Sequence, residues 1–294
     1  MFSEGKDILV LLGPTASGKS KLALKLAEKY KARIISADAY QIYKGLDIGT
    51  AKVSLKDRDK IPHYLIDIKE PTENYSIAAF QKQCLEKISL CRKDQRPIII
   101  CGGSTLYIHA FLYNYALNEV ERNNENHQRI LEKFPNKESQ WLKLKELNPL
   151  NAEKIHQNNA KRLLRALEKE IYKKKEQTTV DHNVLRKDCI LWGIDIKREL
   201  LYEKINERVD KMFAQGLIEE VIQLRRQGVT KNMQSMQAIG YKEVFAFFEN
   251  KINKVELKDL IKKNTRHFAK RQFTWFKKFE GIEWVNQDWV NNFK

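Results

Sequence analysis

The sequence has few cysteines and no long apolar run, and these absences exclude several classes of protein. Its four cysteines form no C-x-x-C pair, so neither a zinc knuckle nor a disulfide framework is indicated. No stretch approaches the roughly 20 apolar residues that span a bilayer. The apolar run Ile8–Leu12 is short and ends in a Gly-Pro turn, unlike an export signal. We therefore predict a cytoplasmic protein with no membrane contact.

Positive charge, in contrast, is abundant. Lys and Arg number 54 against 38 Asp and Glu, which gives a formal net charge of +16. A strongly basic surface attracts polyanions and releases their condensed counterions on contact. A generally basic proteome would produce the same excess, so the charge indicates a nucleic-acid partner only where it clusters.

The first hundred residues alternate strand patterns with helical patterns. Short apolar runs predict strands at Ile8–Leu12, Arg33–Ser36 and Pro97–Cys101, and helical spacing predicts helices at Lys19–Tyr30 and Ser76–Lys93. Continuous apolar strands separated by helices are typical of a parallel sheet covered on both faces. This part of the chain is therefore predicted to be an α/β core with a parallel sheet.

The pattern changes near residue 115, where strand signals vanish until 188–192. The intervening stretch has helical spacing, with Leu163, Leu167 and Ile171 on one predicted inward face. Further helices follow, and a late strand is predicted at Ile282–Val285. The chain is predicted to have three parts. Residues 1–114 form the first part of the core, residues 115–177 form an all-helical inserted domain, and residues 178–294 form the second part of the core with a basic C-terminal helix.

The segment after the first predicted strand fits G-x-x-x-x-G-K-[ST] at every fixed position and opens a predicted helix. The glycines of such a P-loop let backbone N–H groups and the helix N-terminus face a phosphate. Lys19 adds positive charge, and the Ser20 hydroxyl can bind Mg²⁺, which bridges phosphate oxygens. A nucleoside triphosphate is the usual ligand of this loop. The predicted phosphate-binding residues are Gly13, Pro14, Thr15, Ala16, Ser17, Gly18, Lys19 and Ser20.

Two further loops follow predicted strands at the sheet edge where α/β proteins bind their ligands. Asp38 comes after the second strand and is placed to bind Mg²⁺ or to act as a general base. A helix N-cap is the structural alternative for Asp38. Ser104, in the loop 102–105, either caps the next helix or hydrogen-bonds a ligand, and its spacing favours the cap.

Basic residues cluster in two predicted helices. One lies within 154–175, where the apolar face leaves the other face to cations, and the other is Lys258–Lys278. Phe268 and Trp275 of the second helix are predicted to pack into the core. Basic side chains follow a phosphate backbone and rings stack on unpaired bases, whereas the alternative is a solvated helix face. The cations of the first helix predicted to face outward are Lys161, Arg162, Arg165 and Lys169; Lys173, Lys174 and Lys175 follow them.

A series of short motifs spans nearly the whole chain. In chain order the motifs are Gly13–Ser20, Ser36–Asp38, Gln41–Lys52, Pro62–Asp67, Gly102–Tyr107, Lys161–Glu168, Gln237–Glu243 and Thr265–Phe276. This series resembles the tRNA dimethylallyltransferases, also called tRNA isopentenyltransferases, of the bacterial type without a zinc finger. A P-loop alone is shared by many families, whereas this ordered series is not.

The resemblance implies transfer of a dimethylallyl group from dimethylallyl diphosphate to N6 of adenosine 37 in tRNA, with release of diphosphate. The P-loop is then a diphosphate cradle rather than a triphosphate site. By position, Asp38 is the base for the adenine amine, while Lys19, Ser20 with Mg²⁺, and Arg208 stabilise the leaving diphosphate. The adenine is expected to flip out, because N6 cannot be reached within the stack.

The resemblance also implies contacts to the anticodon stem-loop, which the helical insertion is expected to grip. We expect the chain to act as a monomer. The residues implied in tRNA binding are Asp38, Ala39, Tyr40, Gln41, Ser104, Lys161, Arg162, Leu163, Leu164, Arg165, Gln237, Arg266, Lys270 and Arg271.

Two positions depart from the family's pattern: Ala39 replaces the usual serine, and Thr105 replaces a glycine and adds bulk at the channel wall. Three alternatives stay open. A nucleoside or nucleotide kinase would need no second basic helix, and a non-catalytic RNA-binding ATPase would give no reason for Asp38. An adenylate isopentenyltransferase, which acts on free AMP, would need no basic insertion.

Overall fold

The structure is a computed structural model that describes residue 2 and residues 5–115, 124–172 and 185–293. The chain divides into two compact units. Residues 1–115 and 182–294 form one unit, here called the sheet core, and residues 116–181 form the other, here called the helical unit. The predicted insertion, 115–177, ends before the helical unit does. Lys173, Lys174 and Lys175, which we counted in the basic cluster, lie outside the described residues.

The sheet core contains one parallel sheet. Its strands are β1 Ile8–Leu12, β2 Arg33–Ser36, β3 His63–Tyr64, β4 Ile98–Cys101, β5 Cys189–Asp195 and β6 Ile282–Asn286. The six strands lie in the order β3-β2-β4-β1-β5-β6. Each strand runs parallel to its neighbours. The predicted fold class, an α/β core with a parallel sheet and added helices, is confirmed.

Helices cover the sheet and make up the described part of the helical unit. They are α1 Lys19–Tyr30, α2 Leu55–Lys60, α3 Ile77–Lys93, α4 Thr105–Leu112, α5 Asn124–Lys133, α6 Lys137–Leu147, α7 Pro149–Glu153, α8 Ala160–Ile171, α9 Arg198–Ala214, α10 Leu217–Arg226, α11 Tyr241–Phe248, α12 Lys254–Phe276 and α13 Gln287–Asn292, with a 3₁₀ helix at Gln234–Gln237. Helices α5 to α8 belong to the helical unit.

Strand β1 lies between β4 and β5 and is buried along its whole length. Because successive side chains of a strand point to opposite faces, Ile8, Val10 and Leu12 pack into one hydrophobic cluster, and Leu9 and Leu11 pack into another. Both faces of the sheet are therefore dry at β1. This explains the uninterrupted apolar run, and it places the carboxyl ends of β1, β2 and β4 together at one edge.

Two elements differ from their predictions by more than one residue at an end. Strand β5 continues through Gly193 to Asp195, beyond the predicted end at residue 192. A Cβ at Gly193 would lie 2.7 Å from the Trp284 ring, so the glycine admits the aromatic side chain of the neighbouring strand. Helix α12 begins at Lys254, earlier than predicted, because Asn253 caps it in a reciprocal pair with Glu256.

Burial in the helical unit follows the predicted face of α8 only in part. Leu163 and Leu167 are fully buried in its core, as predicted. The prediction for Ile171 is wrong, because its side chain is 38% exposed. Ile171 is the last residue of α8, and its side chain is not part of this core.

The prediction that Trp275 packs into the core is also wrong. Its side chain is 36% exposed and lies edge-on to His109, with ring centroids 5.7 Å apart. The inward position of that helical turn is taken by Phe276. Phe268 is half-buried.

The chain leaves and re-enters the sheet core at adjacent points. The backbone N–H of Arg186 donates to the carbonyl of Leu112, at 2.9 Å.

An ionic network lies close to this re-entry point. Arg92 of α3 bonds Asp7 and Asp188, each at 2.7 Å, and Arg186 bonds Asp188 at 2.7 Å. Since Asp7 and Asp188 immediately precede β1 and β5, the network holds the amino ends of two central strands together.

Candidate active site

The P-loop joins β1 to α1 through a constrained backbone. Ala16 and Gly18 adopt left-handed conformations, with φ of 63° and 88°. A side chain at Gly13 would place its Cβ 2.7 Å from the Ser17 hydroxyl. Backbone of this kind turns successive N–H groups to one side, and with the N-terminus of α1 it forms an anion-binding concavity. The exposed Ser20 side chain lies in the first turn of α1.

Lys19 is half-buried beside this loop. Its Nζ donates to the carbonyl of Pro14, at 3.1 Å. Burial lowers the pKa of Lys19; Cys101 and Asp38 act against this shift, and Arg208 adds to it. Two cations held close together in a partly dry site favour the binding of an anion, which would stabilise both charges.

Asp38 follows β2 and is fixed by the backbone after it. Its Oδ1 accepts hydrogen bonds from the N–H groups of Tyr40, at 2.9 Å, and Gln41, at 3.3 Å. The N-cap alternative for Asp38 is wrong, since the next described helix begins at Leu55. The carboxylate closes a local turn instead.

The loop 102–105 follows β4 and is here called the third loop. It packs directly against the start of the loop that follows β2 and carries Asp38, here called the Asp38 loop. A Cβ at Gly102 would lie 2.1 Å from the carbonyl oxygen of Ala37, and that oxygen accepts from the Ser104 N–H at 3.1 Å. Only glycine fits this approach. Ser104 is the N-cap residue of α4, as predicted, but its side chain accepts no capping hydrogen bond from the described residues of that helix.

Arg208 of α9 reaches the same region. Its Nη2 donates to the carbonyl of Thr50, at 3.1 Å. Burial lowers the pKa of Arg208, and Asp38 opposes that shift. The charge of Asp38 therefore acts on both Lys19 and Arg208, so the carboxylate and the two cations lie in the same region of the sheet edge.

The loop that holds Arg208 is itself held by Glu220 of α10. The two carboxylate oxygens of Glu220 accept from the N–H groups of Asp47, Ile48 and Gly49, at 3.0, 2.7 and 3.2 Å. The Tyr241 hydroxyl adds a fourth bond to Glu220, at 2.5 Å. Glu220 thus fixes residues 47–49, and they in turn place the Thr50 carbonyl that orients Arg208.

Gln272 of α12 lies between the P-loop and the third loop. Its Oε1 accepts from the Thr15 N–H at 2.8 Å, and its Nε2 donates to the Gly103 carbonyl at 2.7 Å. The side chain is 2% exposed. The C-terminal basic helix therefore contributes a buried group to the candidate site.

Several residues that are predicted to contact tRNA lie in the sheet core, and the following four are at least partly accessible to solvent. Ala39, Tyr40 and Gln41 are half-exposed in the Asp38 loop. Burial and then Asp38 raise the pKa of Tyr40 to about 12, so its phenol stays neutral at physiological pH. Gln237 is exposed, and its Nε2 donates to the Lys231 carbonyl at 2.8 Å.

The basic residues of α12 differ in their surroundings. Lys270 and Arg271 are exposed. Arg266 is half-buried, and its Nη1 donates to the Asn206 side chain at 2.8 Å. The exposed pair is therefore better placed than Arg266 to contact a large anion.

In the helical unit, Lys161 and Arg162 of α8 are exposed. Arg165 pairs with the buried Glu168, at 2.8 Å between Nη1 and Oε2, so its charge is already compensated. Leu163 and Leu164, which the resemblance implies in tRNA binding, have side chains that are 0% and 8% exposed and belong to the core of the unit.

The described residues were compared with two further kinds of feature, a metal-binding cluster and a membrane-spanning helix. They contain no cluster of three or more His, Cys, Asp or Glu side chains that could bind a metal by themselves. Among the same residues, no helix is both long enough and apolar enough to cross a membrane.

The parallel sheet, the P-loop at its carboxyl edge and the nearby Asp38, Lys19 and Arg208 define a P-loop protein whose loop geometry suits a phosphate-bearing ligand. Comparison with known proteins narrows this class. The family model described as IPP transferase matches residues 41–279. The chain belongs to the IPP transferase family, and it is a transferase.

Individual relatives agree with this assignment. A tRNA dimethylallyltransferase of Acetivibrio thermocellus is 41% identical over 288 residues, covering 96% of this chain and 92% of the relative. A tRNA delta(2)-isopentenylpyrophosphate transferase structure from Staphylococcus epidermidis matches with a TM-score of 0.70 and 39% identity, covering 96% and 93% of the two chains. A structure of a eukaryotic dimethylallyltransferase acting on tRNA matches with a TM-score of 0.82 and 25% identity, covering 98% and 76%.

Sequence reasoning missed two residues of the candidate site. Gln272 had a detectable signal, because it is a polar residue at the inward spacing of α12 and so requires a buried partner. Glu220 had none, since a glutamate in the first turn of a helix is common for reasons of the helix dipole alone.

Proposed function

We propose that this transferase moves a dimethylallyl group from dimethylallyl diphosphate to N6 of adenosine 37 in tRNA and releases diphosphate. The observation that carries the proposal is that the P-loop and Asp38 follow strands that end at the same sheet edge, where the charge of Asp38 acts on both Lys19 and Arg208. The names of the relatives, which are tRNA dimethylallyltransferases, support the same reaction.

The P-loop residues Gly13 to Ser20 are proposed to hold the diphosphate. Backbone N–H groups and the N-terminus of α1 bind its oxygens, and Lys19 and Arg208 neutralise its charge. The bond between the allylic carbon and the diphosphate oxygen breaks with both electrons going to oxygen. The two cations therefore stabilise the leaving group most strongly when its charge is greatest.

Asp38 is proposed to take the proton. The N6 lone pair of the adenine forms the new bond to the allylic carbon, and the amine proton passes to the carboxylate. Because Oδ1 already accepts from the Tyr40 and Gln41 backbone, Oδ2 is the oxygen available for the amine. The local turn thus orients the base without help from the substrate.

Magnesium fits this donor set. Mg²⁺ in phosphate sites is commonly bound by one or two protein groups, with phosphate oxygens and waters as its other ligands. The exposed Ser20 hydroxyl at the start of α1 is the proposed protein ligand. When bound, the ion supplies additional positive charge to the diphosphate.

The tRNA is proposed to meet exposed cations on both units, with the anticodon stem held by α8 and the target adenine flipped toward Asp38. Lys161 and Arg162 are the main candidates in the helical unit, and Lys270 and Arg271 in the sheet core. We further propose that the chain acts as a monomer in the cytoplasm, since one chain carries the P-loop, Asp38 and Arg208 together.

The direct test is to incubate the protein with dimethylallyl diphosphate, Mg²⁺ and unmodified tRNA, and then to digest the tRNA and assay for isopentenyladenosine. Product is expected without any nucleoside triphosphate. An absolute requirement for ATP would favour the kinase alternative. Product from free AMP but not from tRNA would instead identify an adenylate isopentenyltransferase.

A further inference from the structure

Gln272 is a polar side chain in a position that α12 otherwise gives to apolar or small residues. The buried residues of this helix, which face the core, are Leu257, Ile261, Thr265, Ala269, Gln272 and Phe276. A buried amide without partners is costly, so a glutamine at this position requires both a donor and an acceptor inside the molecule.

Both partners of Gln272 belong to loops of the candidate site. The Thr15 N–H donates to Oε1 from a position 257 residues away in sequence, and the Gly103 carbonyl accepts from Nε2 at a separation of 169 residues. One side chain therefore links the amino-terminal half of the P-loop to the third loop. Each loop follows a different central strand of the sheet.

The space around Gly103 shows how close this link lies to the phosphate-binding groups. A Cβ at Gly103 would lie 2.5 Å from Gln272 Nε2 and 4.0 Å from Lys19 Nζ. The amide of Gln272 and the ammonium of Lys19 thus approach the same point of the third loop. A shift of the Gln272 side chain would therefore alter its hydrogen bond to the Thr15 N–H, in the same loop that carries Lys19.

We propose that Gln272 is a positioning residue that preorganises the P-loop for diphosphate by joining Thr15 to Gly103. The inference rests on the proposed diphosphate site and deepens it. The left-handed conformation of Ala16 persists only where the surrounding structure holds it, and a loop that is ordered before binding loses less entropy when the ligand arrives. Gln272 supplies this order from α12 without contacting the ligand.

The test replaces Gln272 by Met, which keeps the length and helix preference of the side chain but removes both hydrogen bonds. The matched control is Gln81→Met in α3. Gln81 is also buried, and its Nε2 donates to the Ala110 carbonyl at 3.2 Å, at the end of α4 away from the third loop. Binding of inorganic pyrophosphate with Mg²⁺ is measured by titration calorimetry, and Tm is measured for each protein.

The Gln272→Met variant is expected to bind pyrophosphate on the order of tenfold more weakly, with a raised KM for dimethylallyl diphosphate and an unchanged KM for tRNA. The Gln81→Met variant is expected to show a decrease in Tm similar to that of the Gln272→Met variant, while its pyrophosphate affinity stays at the wild-type value. Wild-type affinity in the Gln272→Met variant would overturn the inference alone. A wild-type protein that does not bind pyrophosphate would overturn the diphosphate site and the inference together.

Discussion

Asp38 combines a fixed position with a proposed chemical role, and the two can be separated by one substitution. We predict that Asp38→Asn lowers kcat by ~10²-fold or more, the usual scale for losing a general base. The asparagine oxygen can still accept from the Tyr40 N–H, so the turn and the tRNA affinity should persist. Single-turnover assays and tRNA binding on the same preparation check this. Near-normal turnover would remove Asp38 from the mechanism.

Glu220 does not touch the P-loop, yet it fixes the backbone that orients Arg208. We predict that Glu220→Gln lowers kcat/KM for dimethylallyl diphosphate by roughly tenfold. The NH₂ group of glutamine is a donor, so it would face at least one loop N–H group that now donates to the carboxylate. The KM for tRNA should not change. Steady-state kinetics with each substrate varied in turn measures both effects.

Tyr241→Phe is the companion to that variant. It removes only the phenol bond to Glu220 and leaves the three backbone bonds in place. Its effect on kcat/KM should be clearly smaller than that of Glu220→Gln. Equal effects would mean that the phenol, rather than the loop backbone, sets the position of Glu220.

At the scale of elements, β1, α1 and β2 could be predicted to the residue. Their signals are local: an apolar run buried on both faces, a P-loop that fixes where α1 begins, and a second apolar run. Asp38 and the P-loop could also be placed at one sheet edge, because parallel strands end on the same side.

The contacts between those loops could not be predicted, because they depend on distant parts of the chain. Gln272 reaches Thr15 across 257 residues, and Glu220 reaches Ile48 across 172. Periodicity likewise gives the direction of a side chain but not whether another element covers it. Ile171 and Trp275 show this limit, since both lie near helix ends and stay exposed.

Helix α8 presents exposed cations that we propose contact phosphates. We predict that replacing Lys161 and Arg162 together by Ala raises the KM for tRNA and reduces the log–log salt slope of tRNA binding by about two units, one for each lost contact. The KM for dimethylallyl diphosphate should not change. The slope is measured from the binding of tRNA across a salt series.

The control for that pair is Lys82→Ala with Lys93→Ala in α3, which removes the same charge from another exposed surface. Parallel salt curves for the two double variants would show that α8 contributes only net charge. Arg165 is left intact, because its loss would leave the buried Glu168 without this partner and destabilise the helical unit.

At the scale of the whole molecule, the network of Asp7, Arg92, Asp188 and Arg186 links stability to pH. Hydrogen bonds from Arg92 lower the pKa of Asp7 against the effect of burial. Burial opposes the shift of Asp188, but hydrogen bonds from Arg186 and Arg92 hold the pKa of Asp188 well below its usual range. Carboxyl groups with a depressed folded pKa stabilise the protein above their unfolded pKa and lose that contribution as pH falls.

We therefore predict that the free energy of unfolding decreases as the pH is lowered from about 5 to about 2. The Arg92→Ala variant should show a weaker dependence on pH over the same range. At pH 7 the variant should lose roughly 1 kcal/mol, a modest value because the Arg92 side chain is 41% exposed. Urea unfolding at several pH values checks both statements. A variant with the wild-type pH dependence would mean that other carboxyl groups dominate acid unfolding.

The hydrogen bond between Leu112 and Arg186 has a consequence for how the chain folds. It joins the two points between which the helical unit is inserted, so folding of the sheet core closes a loop of more than seventy residues. The entropy of loop closure grows only with the logarithm of loop length, so most of this cost would be paid by a much shorter connection. The helical unit could therefore lengthen or shorten with little effect on the stability of the sheet core.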